Sequence, residues 1–278
     1  MSDAPISSTS PAPVPRGQQH PPGSTAAQFN GQGGIDVLLD PGRGVRVKRR
    51  RPLTGNEIRG IADRLSHHSS QPEGDLALFY LLLTTGAKPL ELSRLRITDV
   101  IAPSGAIRSE FSLSAGSSIN GVARRLFIKS EVTVEAIVAY VRYRVANGHG
   151  VGTTTGFAGL DPQSPLLLNH DGQAYAVVES TGHSGNRTLC RGILEACRRV
   201  FRLSGIDGLC AVTLRRTLAC RLSDRGGTIE QIGAALGIKD RKAIRELLDV
   251  PQTEFPQLFD EIVGTHRDLR DISTEKSS

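Results

Sequence analysis

The residues of this 278-residue chain best placed to do chemistry are its cations. Arg43, Arg46, Lys48, Arg49, Arg50 and Arg51 stand in one short run. Such a run can lie along a phosphate backbone and release its counterions, or it can be a solvated charged linker, and spacing alone leaves both open. Across the chain 34 Lys and Arg oppose 28 Asp and Glu, a formal charge of +6 that favours a polyanionic partner. Other reactive groups are poorly placed. The four cysteines, Cys190, Cys197, Cys210 and Cys220, lack paired Cys-x-x-Cys spacing, so they read as buried thiols and no metal site is expected. Tyr140 and Tyr143 share a helical stretch with Val138 and Val141 and read as packing residues, while Tyr175 follows an Asp171-Gly172 turn. His266 lies in a polar tail and reads as solvated.

The elements that must position these groups can be read from composition and periodicity. Residues 1–50 form a Ser/Pro/Gly-rich arm ending in the basic run, with too little apolar surface to offset the entropy of ordering it. A folded domain is expected over 51–262 and a polar tail over 263–278. Thr54-Gly55-Asn56-Glu57 has capping-box spacing, with Ile58, Ile61 and Leu65 on one helical face behind it. Residues 76–84 are apolar nearly all round, as in a buried central helix, and Gly86 can end it. A short helix is expected over 91–95. Between 97 and 128 the period shortens, and Phe111-Ser112-Leu113 and Arg125-Leu126-Phe127-Ile128 read as hairpin strands. Helical spacing returns with Val134, Ile137, Val138, Val141 and Val145, and again with Leu189, Ile193, Cys197 and Val200. From Leu214 onward the helices are short, one opened by a Thr228 to Gln231 capping box. The fold class is α+β, mainly helical, with a small antiparallel sheet. No stretch is long and apolar enough to cross a membrane and no signal-peptide pattern opens the sequence, so a cytoplasmic protein is expected.

Three stretches, in order, resemble the catalytic domain of the tyrosine recombinases, the phage-integrase family. Leu82-Leu83-Thr84-Thr85-Gly86-Ala87-Lys88-Pro89-Leu90-Glu91-Leu92 is similar to the family's apolar helix, Thr-Gly turn and Arg-x-x-Glu box, with Lys88 in the arginine position, and it runs on into a strand-like 97–100. Val212-Thr213-Leu214-Arg215-Arg216-Thr217-Leu218-Ala219 resembles the His-x-Leu-Arg-His box, keeping Arg215 and replacing both histidines. Ile232-Gly233-Ala234-Ala235-Leu236-Gly237-Ile238 resembles the Leu-Gly-His box, with Ile238 for histidine. The family's nucleophilic tyrosine would fall at Leu247 or Leu248, and no tyrosine follows Tyr175. Arg125-Leu126-Phe127-Ile128 looks like the strand after the catalytic lysine, for which Ser117 to Gly121 offers no lysine, and Leu166 to Gly172 looks like the family's Phe-Leu turn. The resemblance covers Arg51 to Leu248 and leaves the family's N-terminal clamping domain without a counterpart.

The resemblance implies strand-exchange chemistry on DNA from which the working parts are missing. Leucine at 247 cannot attack phosphorus, which removes the covalent intermediate altogether. Lys88 keeps a charge but lacks the planar fork that grips two phosphate oxygens, and loss of one such donor typically costs ~10² to 10³ in rate. Val212 and Ile238 cannot carry protons. Arg215 and Arg216 could form a static phosphate-binding pair at a helix N-terminus, and Glu91 could brace the turn before it. Lys88, Arg124, Arg125, Arg215, Arg216, Lys48, Arg49 and Arg50 are therefore the candidate phosphate contacts, each with surface charge as the plain alternative. No cofactor is expected.

The leading reading is a catalytically silent, DNA-binding integrase-like protein, accessory to recombination or integration of a mobile element. Double-stranded DNA is its expected partner, and an active recombinase a further one. Phe255, Leu258, Phe259 and Ile262 could form an apolar helix passed to a neighbouring subunit, or one packed on its own domain. Two other readings stand beside it: an active integrase with an unusual or partner-supplied nucleophile, and a protein-interaction module that does not touch DNA.

Overall fold

A computed structural model describes residues 51–249, except 154, 183 and 184, with backbone alone at 180–182 and 185–187. The arm with Lys48, Arg49 and Arg50, the segment carrying Phe255, Leu258, Phe259 and Ile262, and the tail with His266 lie outside the described residues.

The first helix, α1 (Gly55–His68), begins as its sequence dictates. The Thr54 hydroxyl accepts the Glu57 N–H at 3.2 Å, and the Glu57 carboxylate accepts the Thr54 N–H at 2.8 Å, closing the capping box. Ile58, Ile61 and Leu65 are buried on its inner face. The second helix, α2 (Pro72–Thr85), has almost no polar side to offer water, and it becomes the axis of the domain. Around it pack α1, α5 (Glu131–Ala146), α6 (Arg191–Leu203) and α7 (Ala211–Asp224). Phe79, Leu81 and Leu82 on α2 are all but inaccessible, and burial of each such side chain contributes about 1.5 to 3 kcal/mol. Gly86 ends the helix in the left-handed conformation (φ 60°). A side chain could not follow it there, since a Cβ would stand 2.5 Å from a Leu236 methyl.

Among the described residues, two antiparallel two-stranded sheets complete the α+β architecture. In the first, β1 (Glu110–Leu113) pairs with β2 (Arg124–Phe127), Phe111 opposite Leu126, and the buried Phe111, Leu113 and Leu126 join the main core. The second, β3 (Val178–Gly182) with β4 (Gly185–Leu189), is a ribbon absent from the expected elements. Its polar, glycine-bearing strands show no apolar alternation to betray them. Leu189, expected on the following helix, instead closes β4, because that helix starts only after its cap residue Cys190.

Two further boundaries are corrected. The short helix expected over 91–95 is α3 (Pro89–Ser93), and Leu95 packs in the core beyond it. The strand-like 97–100 is a single helical turn, α4 (Ile97–Val100). The Asp99 carboxylate accepts the Arg96 N–H at 2.7 Å and tips the balance toward a turn, while Ile97 and Val100 are buried three residues apart.

After α7 come α8 (Ile229–Leu236), opened by the Thr228–Gln231 capping box, and α9 (Arg241–Leu248), opened by the Asp240 side chain. Ile232, Leu236 and Ile244 meet Ala219 of α7 in a second small core beside the main one. Cys190, Cys197 and Cys220 are buried free thiols and Cys210 is half-buried. Among the described residues no helix is long and apolar enough to cross a membrane, and no group of His, Cys, Asp and Glu has metal-binding geometry.

Candidate functional site

Where the Gly86 turn meets the start of α3, the β2 strand and the middle of α7, four charged side chains converge: Lys88, Glu91, Arg124 and Arg215. Each is delivered by a local necessity of the chain. Pro89 starts α3 with Lys88 as its cap residue, so Glu91 falls in the first turn and its carboxylate accepts the Lys88 N–H at 2.8 Å. The same carboxylate accepts the Ile119 N–H at 3.3 Å, bracing the β1–β2 loop. Alternation along β2 turns Leu126 into the core and Arg125 outward, and it leaves the Arg124 side chain only 7% exposed.

Arg124 and Glu91 form a bidentate pair at 2.9 and 2.7 Å, a geometry only a planar guanidinium offers a carboxylate. The Arg124 Nε is buried without a hydrogen-bond partner among the described residues. Its guanidinium lies over Gly237, the left-handed cap of α8 (φ 65°), where a Cβ would stand 3.0 Å from Nη1. Burial alone would raise the Glu91 carboxyl, but hydrogen bonding and charge from Arg124, with the Lys88 and Ile119 amides, hold it below its ordinary range.

Arg215 is 9% exposed, and both ends of its fork are engaged. Nη1 donates to the Gly86 carbonyl and Nη2 to the Leu236 carbonyl at 2.9 Å. Burial lowers its pKa to about 10, which leaves it charged at neutral pH. Lys88 is half-buried beside it, and among the described residues its ammonium has no hydrogen-bond partner. Burial and then the Arg215 charge bring the Lys88 pKa down to about 8, Glu91 offsetting part of the effect. Three cations therefore face one carboxylate in a half-dry site, an arrangement suited to holding an anion.

The other expected residues fall elsewhere. The guanidinium of Arg216 hydrogen-bonds the carbonyls of Leu247 (2.9 Å) and Glu246 (3.1 Å), capping the end of α9 rather than joining Arg215. Arg125 is exposed and pairs with Glu110 at 2.9 Å. Val212 is half-buried, and Leu247 and Leu248 pack against the second core. Ile238 and Arg124 both line an open, mainly apolar groove of about 950 Å³ between β2 and α8–α9, floored by Phe127, Ile232 and Ile244. Tyr140, Tyr143 and Tyr175 are engaged away from the cluster. The Tyr140 hydroxyl accepts the Leu168 N–H at 2.9 Å, Tyr143 stacks edge-on to His149, and Tyr175 lies against Gly192. The ordered motifs bring Lys88, Glu91 and Arg215 to one place, whereas nothing in them marks Arg124 as Glu91's partner. Alternation along β2, begun one residue earlier than expected, turns Arg124 inward but does not name its partner.

No protein-family model matches the sequence, and no curated protein matches it. Solved structures do. XerA recombinase superposes with a TM-score of 0.52 at 17% identity over 77% of this chain, which spans 65% of that one. The Tn1549 transposon integrase in complex with transposon right end DNA gives 0.48 at 12% identity, over 82% of this chain and 71% of that one. XerH site-specific recombinase bound to palindromic difH substrate gives 0.49 at 13%, over 77% and 53%. The chain thus has the fold of a tyrosine recombinase catalytic domain over the part that superposes.

Proposed function

We propose that this protein binds double-stranded DNA without cutting it, as an accessory or regulatory factor in recombination or integration of a mobile element. The observation that carries the reading is the cluster itself: Lys88, Arg124 and Arg215 around the single carboxylate Glu91, on this fold. The backbone of a duplex offers the matching anion. Leu247 and Leu248, where the resemblance expects a phenol, are aliphatic, so the phosphate is held and not attacked. In this reading the arm over 1–50 adds non-specific contacts through Lys48, Arg49 and Arg50, and the domain over 51–262 supplies the seat. Phe255, Leu258, Phe259 and Ile262 would serve association with a second copy or with an active recombinase. No cofactor enters, and the cytoplasm is the compartment.

Gel shifts with duplex DNA across a salt series test this. A linear fall of log K with log salt is expected, and Lys88→Ala should lower the slope by about one phosphate contact. A nicked suicide substrate run in parallel should give no covalent adduct on a denaturing gel. Absence of any salt-dependent shift would leave the interaction-module reading, and a phosphotyrosine adduct would make the protein an active recombinase.

A further inference from the structure

Lys88 differs in kind from the other described lysines. Lys129, Lys239 and Lys242 are exposed, whereas Lys88 is withdrawn into a site whose nearest charges are two guanidiniums and one carboxylate already paired with Arg124. Its ammonium gains no hydrogen bond from the described residues, and Glu91, the carboxylate that favours its charged form, is already shared with Arg124. A desolvated lysine beside other cations is the setting in which an amine becomes a nucleophile toward carbonyls. The pKa near 8 agrees, leaving a usable fraction of neutral amine at physiological pH, where an exposed lysine has almost none.

We infer that Lys88 is a covalent site for an aldehyde carried next to a phosphate, the ring-opened sugar of an abasic nucleotide in duplex DNA. This rests on the DNA-binding reading for delivery of the lesion, with the positive field of Arg124 and Arg215 favouring the adjoining phosphate. The step balances without a further reactant. The neutral Nζ adds to the C1′ aldehyde, the carbinolamine loses its oxygen as water, and an imine joins Lys88 to the sugar. The proton that Lys88 sheds beforehand goes to solvent and returns on the imine nitrogen. No strand is broken in this step.

The test is borohydride trapping of the full chain on an abasic duplex, with an intact duplex as control and gel shifts on both. A reduced adduct on the abasic strand, mapped by peptide mass to Lys88, is expected. It should be lost in Lys88→Arg and kept in Lys129→Arg, each compared at concentrations that shift its duplex fully. A shift without an adduct, or an adduct on another lysine, overturns the inference and leaves DNA binding standing. If no duplex shifts, the DNA reading fails by itself. Pyridoxal 5′-phosphate with borohydride then decides the chemistry: labelling of Lys88 ahead of Lys129, Lys239 and Lys242 upholds the amine site, and even or absent labelling ends it.

Discussion

The guanidinium of Arg215 hydrogen-bonds the backbone carbonyl of Leu236 at 2.9 Å, and its other nitrogen holds the carbonyl of Gly86. One side chain thereby ties the turn that ends the central helix to the last residue of α8, bridging the main core and the small second one. Arg215→Ala would leave both carbonyls without this donor, at about 1 to 3 kcal/mol for each unsatisfied buried group. A loss of roughly 2 to 5 kcal/mol in urea unfolding is expected. Arg215→Lys should recover less than half, because an ammonium cannot span the two acceptors as a planar fork does. Stability of Arg215→Ala within about 0.5 kcal/mol of the parent chain would show that the carbonyls find other partners.

Glu91 and Arg124 are the second structural pair of the site, 1% and 7% exposed, and each leaves a costly remainder when the other is removed. Glu91→Gln should destabilise by about 3 to 5 kcal/mol, since the Arg124 charge stays buried without its counterion. The double variant Glu91→Leu with Arg124→Leu should cost less than the two single changes added together. The pH dependence has a definite sign. The Glu91 carboxyl is held below its ordinary value, so its contribution is full above the usual carboxylate range and is lost as pH falls through the folded value. An acid limb in chemical denaturation that Glu91→Gln does not flatten would show that other carboxylates set it.

Lys88 gives two pH trends of opposite direction. Its folded pKa is near 8 against an ordinary value of 10.5, so between these limits the unfolded chain carries a proton that the folded one has shed. Stability should therefore rise with pH across that window. Affinity for duplex DNA should fall over the same window as the site loses a cation. Lys88→Arg should remove both trends, its guanidinium staying charged throughout. Parallel denaturation and gel-shift series from pH 7 to 10 read this out, and an unchanged pH profile in Lys88→Arg would assign the titration to another group.

Much of this arrangement is legible in the chain because it is local. The Thr54 and Thr228 capping boxes, the apolar run over 76–83 of α2 and the Gly86 stop each follow from neighbours within a few residues, and the structure reproduces them. The positions of Lys88, Glu91 and Arg215 were legible through ordered motifs. What could not be read was pairing across distance. Nothing near Arg124 in sequence announces Glu91 as its partner, and nothing near Arg216 announces that its donors go to the end of α9. The β3–β4 ribbon escaped for a different reason, since its pairing leaves no hydrophobic period to detect.

Arg144 is the clearest case of the same blindness, and it yields the last prediction. On α5 it reads as one more charge among valines, yet it is 0% exposed and has no carboxylate partner among the described residues. Instead its Nε donates to the His149 carbonyl at 3.1 Å, Nη1 to the carbonyls of Pro165 (2.8 Å) and Leu166 (3.0 Å), and Nη2 to the Ser164 hydroxyl at 2.8 Å. A single guanidinium thus gathers both ends of the 149–166 loop, and Gly150 is required beside it because a Cβ there would stand 2.4 Å from Nη2. Arg144→Met keeps the volume of the stem and removes every donor, while also relieving the cost of burying a charge, so a net loss of about 2 to 4 kcal/mol is expected. The damage should be local first. Amide hydrogen exchange over residues 149–166 should speed up under native conditions, while the amides of α1 exchange only as the global stability falls. Equal acceleration across both regions would mean that Arg144 supports the whole core rather than this loop, and no acceleration in either would mean that the four acceptors are satisfied without it.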